Sequence, residues 1–513
     1  MTSYPIQSIQ PSYQNRSITS VPPAPNDVGG RSLAYQKMAT HWELITDLLG
    51  GTIGMQLAAQ KWLPKEEHEK DEPYRRRLLN SVLDSMLESA IDAVASKPFA
   101  ETVKLRGKSI PDWIQETVDD MDLSGRGITE YAFDLFKDGV TYGHSVQMID
   151  APATGGELNL AEERAAGVRP YSSILCAPSI IGWRSATYQG EEITTQLRVV
   201  SVACEPDGLY GEKLVESTTV YTPGAFVVYA RPLSASSTAN DWKEIARGPI
   251  SYPVEWGVPI APFYVKRTGF LTSEPPFEEL AWTNLAHFRS DSDQRNILRF
   301  ARVGTLVIAG VTPEEKDTGV DLGPRNSIIS TNTDIKAFYA EHSGAAITCG
   351  ERDLKALEER ARRQSMEPMT VGSAERTVTE VSVGEGRTLA AVQSWIRRLE
   401  YALRQAIVIA GRWKNETVPD DFAFDVFSDF VVSGRASEDM QTLITLNTMG
   451  KLQDRTLLEE TKRRGILAEA VDIDAEVDAA ANMAPDFPAP GDPNADPATG
   501  GYPPKKKPAM TAA

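Results

Sequence analysis

Cysteine is almost missing from this chain: three residues, Cys176, Cys204 and Cys349, in 513. Their spacing fits no metal motif, and so sparse and odd a set builds no disulfide framework, so a reducing compartment is expected. Histidine is nearly as scarce, with five residues scattered at 41, 68, 144, 287 and 342. No run of about 18 apolar residues occurs, so no transmembrane helix and no membrane partner are expected. The opening residues lack a charged-then-apolar leader, and the expected place of synthesis and use is a cytoplasm. The phosphate-cradling GxxxxGK[ST] is absent, as are HExxH, CxxC and GxSxG. Gly384-Glu385-Gly386 begins like GxGxxG, but no strand–turn–helix surrounds it. Asp119, Asp120 and Asp122 lack the glycine and terminal glutamate of a calcium loop. Asp291 and Asp293 point to different faces of a helix. These absences leave no candidate for a catalytic residue, a metal ligand or a cofactor, and the expectation is a protein that is not an enzyme.

Excess positive charge is lacking too. The formal net charge is −18, which argues against a dedicated nucleic-acid binder, because such surfaces neutralise phosphates with basic groups. Ordinary solubility accounts for an acidic balance; a surface that must pass DNA without holding it would carry the same sign.

What is present is a chain with 41% hydrophobic residues, enough for globular cores and long enough for two or three domains. Residues 1–30, rich in Ser, Pro, Gln and Asn, read as a flexible arm able to cross to a neighbouring subunit. Met38, Trp42, Ile45, Leu48 and Leu49 fall at helical spacing until Gly50 and Gly51 break the pattern. After a charged linker at 64–73, one continuous helix is expected over 74–94, with Leu78, Val82, Met86 and Ala90 on one face and Leu79, Leu83, Leu87 and Ile91 beside them. Arg75, Arg76 and Arg77 in its first turn suit solvent or an ion pair between subunits better than a phosphate. A short helix at 113–118 and a second at 128–138, capped by Gly139, precede a strand at 140–150 in which His144 reads as structural. An exposed loop or turn of helix follows at 155–167. Residues 169–266 are β-rich, with strands at 180–184, 194–202, 217–221, 225–232, 242–246 and 263–266 and core positions for Trp183 and Trp242.

The strongest periodicity lies at 388–413, where Leu389, Val392, Ile396, Leu399, Leu403, Ala406 and Ala410 form one helical stripe closed by Trp413. A strand at 421–432 and helices at 437–448, 456–464 and 468–481 follow, with Gly450 and Gly465 at C-cap positions. From Pro485 the chain is Pro-, Ala- and Asp-rich and ends in Lys505, Lys506 and Lys507, a composition expected to be disordered.

The stretch from 277 to 413 organises the rest. A helix over 277–302, roughly 39 Å long at 1.5 Å per residue, is apolar at its ends (Leu280, Trp282, Leu285, Phe288; Ile297, Leu298, Phe300). Its middle, RSDSDQRN at 289–296, has no apolar residue. A helix that loses its stripe for two turns either stands in water or packs through polar contacts, and on that ground it is not expected to form a monomer core. An insert follows, with strands at 303–311, 327–331 and 335–339 around an acidic turn, Pro313 to Asp317. A charged helix at 352–366 and a polar, glycine-containing loop at 367–386 lead to the long helix.

This order resembles the portal proteins of tailed bacteriophages. The matching segments are LGPRN at 322–326, FYAEHSG at 338–344, RQSMEPM at 363–369, RTVTE at 376–380 and the helix at 388–413. Tyr74 with its arginines, Arg169-Pro170-Tyr171, Trp183-Arg184 and the Gly450 to Gly465 segment also fit, so the resemblance runs in order from about 71 to 467. It implies an α+β portal-type fold assembled as a ring: flexible arm (1–30), wing (31–275), stem helix (276–302), clip (303–347), second stem helix (348–366), tunnel loop (367–386), long helix with a return strand of the wing (387–434), crown (435–482) and disordered tail (483–513). It implies twelve copies around a channel for double-stranded DNA at one capsid vertex of the virion. The implied partners are the terminase large subunit, major capsid and scaffolding proteins and a head–tail adaptor.

On this resemblance the tunnel loop would present Thr370, Val371, Ser373, Arg376, Thr377, Thr379 and Glu380 to DNA. Its few mixed charges suit a sliding contact, since each phosphate neutralised adds affinity; an ordinary mobile surface loop would have the same composition. Arg289, Asp291, Asp293, Arg295 and Arg299 would pair between stems, and Glu314, Glu315, Lys316 and Asp317 would meet the terminase. The chain departs from the family pattern at Val371-Gly372-Ser373 and a second glycine pair, which blurs the start of the long helix, and its last thirty residues match nothing in the family. Two other readings are a head–tail connector or adaptor, a type usually much shorter, and a metal-dependent DNA-processing enzyme, for which no convincing acidic cluster is seen.

Overall fold

The computed structural model describes residues 24, 26–152, 168–233, 241–303, 305–309, 336–340, 344–365, 378–428, 436–463, 467, 471 and 473–483. The arm at 1–23, the loop at 155–167, the acidic turn and the strand at 327–331, most of the tunnel loop, Gly465 and the tail lie outside them. The chain is α+β and divides into two compact units, Met1–Asp429 and Phe430–Ala513.

The first unit opens with α1 (Leu33–Leu49), whose N-terminal N–H groups are met by Ser32: its Oγ accepts from the Tyr35 amide at 3.2 Å. Met38, Trp42, Ile45 and Leu48 are buried, as their spacing predicts, together with Tyr35, while Leu49 is half-buried. The helix stops at the two glycines, but the chain re-enters helix at once, in α2 (Gly51–Leu57) and α3 (Ala59–Trp62).

The helix expected over 74–94 is instead two, α4 (Asp71–Asn80) and α5 (Met86–Ser96). The five residues between them leave the helix because their backbone has partners elsewhere. The Leu83 amide donates to Thr52 Oγ1 at 3.1 Å, and the Asp84 carbonyl accepts from Asn284 Nδ2 at 2.8 Å. The Leu87 amide, at the start of α5, donates to Asn284 Oδ1 at 3.1 Å. Tertiary hydrogen bonds thus override local helix propensity.

After β1 (Lys104–Arg106) and α6 (Asp112–Asp119) comes α7 (Ile128–Tyr142), which runs past the expected cap. Gly143, at φ 93°, takes the left-handed cap position. Gly139 lies inside the helix for a packing reason: a Cβ there would stand 2.4 Å from the Phe263 ring.

The strand β2 (His144–Asp150) is the centre of a three-stranded antiparallel sheet, between β3 (Tyr171–Cys176) and a later strand. The β-rich region folds as a five-stranded antiparallel meander of β4 (Ile180–Tyr188), β5 (Glu191–Asp207), β6 (Gly211–Thr222), β7 (Ala225–Pro232) and β8 (Lys243–Pro249). Each of these strands contains or overlaps its expected segment, and β5 and β6 are much longer than theirs. The strand β9 (Ile260–Tyr264) returns to the free side of β2, pairing His144 with Tyr264. A small hairpin, β10 (Arg267–Gly269) and β11 (Thr272–Ser273), leads into α8 (Glu278–Val303).

The strands β12 (Thr305–Ala309) and β13 (Lys336–Ala340) pair antiparallel, Thr305 opposite Ala340. They are followed by α9 (Gly344–Gln364), α10 (Val378–Lys414) and β14 (Ala423–Asp425), which pairs with β1. The helix α9 begins at Gly344, inside the stretch expected for the clip. The helix α10 begins at Val378, so residues 378–386, expected in the tunnel loop, are helical, Thr379 and Glu380 among them.

The core of this unit gathers on α10. Val392, Ile396, Leu399, Leu403, Ala406 and Ala410 are all buried, so the predicted stripe faces inward. Burying each Leu or Ile here contributes about 1.5–3 kcal/mol. The stripe packs on β2 and β9: Ile149, Ala261, Ala406, Ile409 and Ala410 share one cluster with Ile250 and Tyr252, flanked by Trp113 and Trp413. Gln147 crosses from β2 to donate to the Ala402 carbonyl at 3.0 Å. Of the two expected core tryptophans, Trp183 packs partly buried on the β-sheet cluster, while Trp242 lies under the Arg231 guanidinium, 4.4 Å from its centre.

The second unit holds α11 (Ala436–Thr448), α12 (Asp454–Arg463) and α13 (Ile473–Met483). Gly450 has φ 70°, the left-handed conformation expected after α11. Lys462 Nζ donates to the Val471 carbonyl at 2.8 Å, and Arg455 reaches Asp474 at 3.3 Å.

Candidate functional site: the two-helix stem

The helices α8 and α9 run antiparallel, and their register follows from four contacts. Thr283 Oγ1 donates to Gln364 Oε1 at 2.7 Å, and His287 Nε2 lies 3.9 Å from Glu358. Ser290 Oγ donates to Asp353 Oδ2 at 2.6 Å, and Gln294 Nε2 donates to the Ile347 carbonyl at 3.0 Å. The steps along α8 are four, three and four residues, which is the spacing of a helix–helix seam. Here the seam is polar. Gly350 lets the helices approach: a Cβ there would stand 2.0 Å from Gln294 Oε1 and push that side chain off Ile347.

A second face of α8 packs on the start of the chain. Arg289 Nε donates to the Trp62 carbonyl at 2.6 Å. Ser292 Oγ accepts from Ser81 Oγ at 2.8 Å, both residues being buried. Trp282 meets Trp62 edge-on, ring centres 6.2 Å apart. Nearby, Arg77 is buried and bound by Glu69 through Nε and Nη2, at 3.1 and 2.8 Å. That hydrogen bond, ahead of the opposing cost of burial, raises the Arg77 pKa and lowers that of Glu69.

These contacts correct one sequence argument. Part of the polar middle of α8 is used inside the subunit: Ser292 and Gln294 are buried with partners there, and Arg289, itself exposed, donates one N–H to the Trp62 carbonyl. The physical reason is that Ser81 after α4, the Trp62 carbonyl of α3, and the Ile347 carbonyl and close-approach Gly350 of α9 face it there, so polar contacts take the place of an apolar stripe. Of the other predicted stem residues, Asp291 and Arg295 pair with each other along the helix at 2.6 Å, and Asp293 lies 3.8 Å from Arg77. Arg299 is exposed. Arg77 is thus an ion-pair residue inside the subunit, Arg76 pairs with Glu72, and Arg75 is exposed.

Thr370, Val371, Ser373, Arg376, Thr377, Glu314, Glu315, Lys316 and Asp317 lie outside the described residues; the backbone of Thr379 and Glu380 is in α10. The sequence reading missed Thr283, Asn284, Ser292, Gln294 and Gly350. The signal was available as Thr283, His287, Ser290 and Gln294 at heptad-like spacing.

Outward, the stem carries charges of both signs: Arg295 and Arg299 on α8, and Glu351, Arg352, Lys355, Glu359, Arg360 and Arg363 on α9 are exposed. Among the described residues, no group of three or more His, Cys, Asp or Glu is placed to hold a metal, and no helix is long and apolar enough to cross a membrane. His144, away from the stem, is buried with Nδ1 2.7 Å from Ser273 Oγ, and burial pushes its pKa down to about 4.

Residues 276–414, from the first stem helix to the end of α10, match the model of a family described as a domain of unknown function, DUF4055. No curated protein matches the chain. Many solved structures are similar to it, among them these two. One is titled the neck of a native GTA particle computed with C12 symmetry (13% identity, TM-score 0.40, 72% of this chain and 87% of that one). The other is titled the neck of an empty GTA particle computed with C6 symmetry (10% identity, TM-score 0.41, 78% of this chain and 94% of that one).

Proposed function

We propose that this chain is a portal-type protein that assembles, as the sequence resemblance implies, into a ring of twelve copies around a channel for double-stranded DNA. The observation that carries the reading is the order α8, β12–β13, α9, α10. Two antiparallel helices flank an insert in which, among the described residues, two strands pair, and they are followed by a 37-residue helix that packs into an α+β body. The stem lines the channel, the insert is the clip that docks the terminase large subunit, and the segment before α10 approaches DNA. The body meets the major capsid and scaffolding proteins, and the assembled ring receives the head–tail adaptor in the virion.

Energy for DNA movement comes from the terminase, and this chain acts as a conduit and not as an enzyme. The outward stem faces suit that role. Their mixed charges offer no continuous basic track, and a track of that kind would bind phosphates and hold the DNA.

Ring cohesion cannot rest on the stem alone. Exposed ion pairs contribute about 0–1 kcal/mol each, and Ser292 and Gln294 in the polar middle of α8 are already used within the subunit. Apolar contacts between the bodies of neighbouring copies must supply most of it. Negative-stain imaging of the purified protein tests the reading: rings with a central hole are expected, and single globular particles under every assembly condition would refute it.

A further inference from the structure

Ring closure by rotation needs two different surfaces on each copy, one fitting the other on the next subunit. Two unusual exposed apolar features fill these parts. The first is the turn between β5 and β6. The two strands pair as far as Asp207 opposite Gly211, and β7 follows β6 only to Val215, with one further bond from Leu233 to Leu214. Beyond that point, no third strand pairs with the ribbon among the described residues, over about 10 Å at 3.4 Å per residue. At its tip Leu209 is 85% exposed and Tyr210 93%. A two-stranded ribbon is marginal in water without packing. The tip is also acidic, with Glu205, Asp207 and Glu212 against Lys213.

The second feature lies where α2 meets the end of α4. Gln56 Nε2 donates to the Leu78 and Ser81 carbonyls at 3.2 and 3.1 Å, and Thr52 Oγ1 accepts from the Leu83 amide. These bonds tie α2 to the stretch 78–83, and Ile53 and Leu57 on α2, with Leu79 and Val82 on that stretch, stay outside them. The four are 71%, 84%, 63% and 46% exposed. Arg75, one turn before Leu79, is exposed.

We propose that the Leu209–Tyr210 tip of one copy docks on the Ile53, Leu57, Leu79 and Val82 surface of the next, with Arg75 facing the acids of the ribbon. The occupant is a second copy because knob and receiving surface are both on this chain, match in apolar character and are complementary in charge. A contact between different surfaces propagates around a ring instead of ending at a dimer. This inference rests on the ring proposed above.

The test is a cysteine pair, Leu57→Cys with Tyr210→Cys, in the full chain carrying Cys204→Ser and Cys349→Ser, oxidised and run on a non-reducing gel alongside imaging of the same sample. The expected result is rings together with a covalent ladder extending past the dimer, absent from either single cysteine variant. Arg75→Glu is expected to raise the protein concentration needed for assembly about tenfold, and Asp207→Arg to restore it. Rings without a ladder, or a ladder that stops at the dimer, overturn this contact and leave the ring reading standing. No rings and no ladder overturn the ring reading, and the contact falls with it.

Discussion

The body around α10 and the stem of α8 and α9 solve the same problem, holding helices in register, by opposite means. In the body, α10 presents Val392, Ile396, Leu399 and Leu403 to β-strands, and burial of hydrocarbon supplies the stability. In the stem, Thr283, Ser290 and Gln294 meet Gln364, Asp353 and a backbone carbonyl. Apolar packing is tolerant of detail and strong; polar pairing is weaker per contact but penalises any shift of register, because a displaced donor is left unpaired. The difference teaches that a helix without an apolar stripe need not be waiting for another subunit.

The comparison breaks first where the body is strongest. Phe263→Ala removes a fully buried ring stacked on Phe136 at 5.7 Å. It is expected to cost about 3–5 kcal/mol in denaturant unfolding of the first unit; a loss below 1 kcal/mol would show that this core does not carry the unit. Next comes Asn284→Ala, in the stem helix, which strands the Leu87 amide and the Asp84 carbonyl. A loss of about 1–3 kcal/mol is expected, with faster hydrogen exchange at Leu87 as the local signature.

His144 is a titratable group buried inside the apolar body, and it sharpens the comparison through pH. Its folded pKa, near 4, lies below the ordinary 6.5, so the unfolded chain binds the extra proton. Stability from the neutral ring is complete above about pH 6.5 and is lost as pH falls toward 4, by about 2 kcal/mol between pH 7 and 5. Unfolding midpoints at the two pH values check this, and His144→Asn should remove that part of the difference. The smallest effect belongs to Arg295→Ala, which deletes an exposed pair with Asp291. Less than about 0.5 kcal/mol is expected, measurable in the same denaturant series.

Much of the fold was legible in the sequence, and the misses share a cause. Periodicity located α1, α7, α8, α10 and α11, because an apolar face or its conspicuous loss is a local signal. It failed at 81–85, where Asn284, two hundred residues away, takes the backbone bonds a helix would have made. It failed at Gly139, whose role is set by the Phe263 ring, so that the true cap is Gly143. At 289–296 polarity says that partners are polar, and nothing local says whether they belong to the same chain.

The account stands on self-assembly into a closed ring, and native mass measurement reads that directly. A single species near twelve times the 56.2 kDa subunit, roughly 670 kDa for the twelve copies proposed, is the predicted result, accompanied by little free subunit at micromolar concentration. A persistent 56.2 kDa monomer that resists association across salt and protein concentration would contradict it.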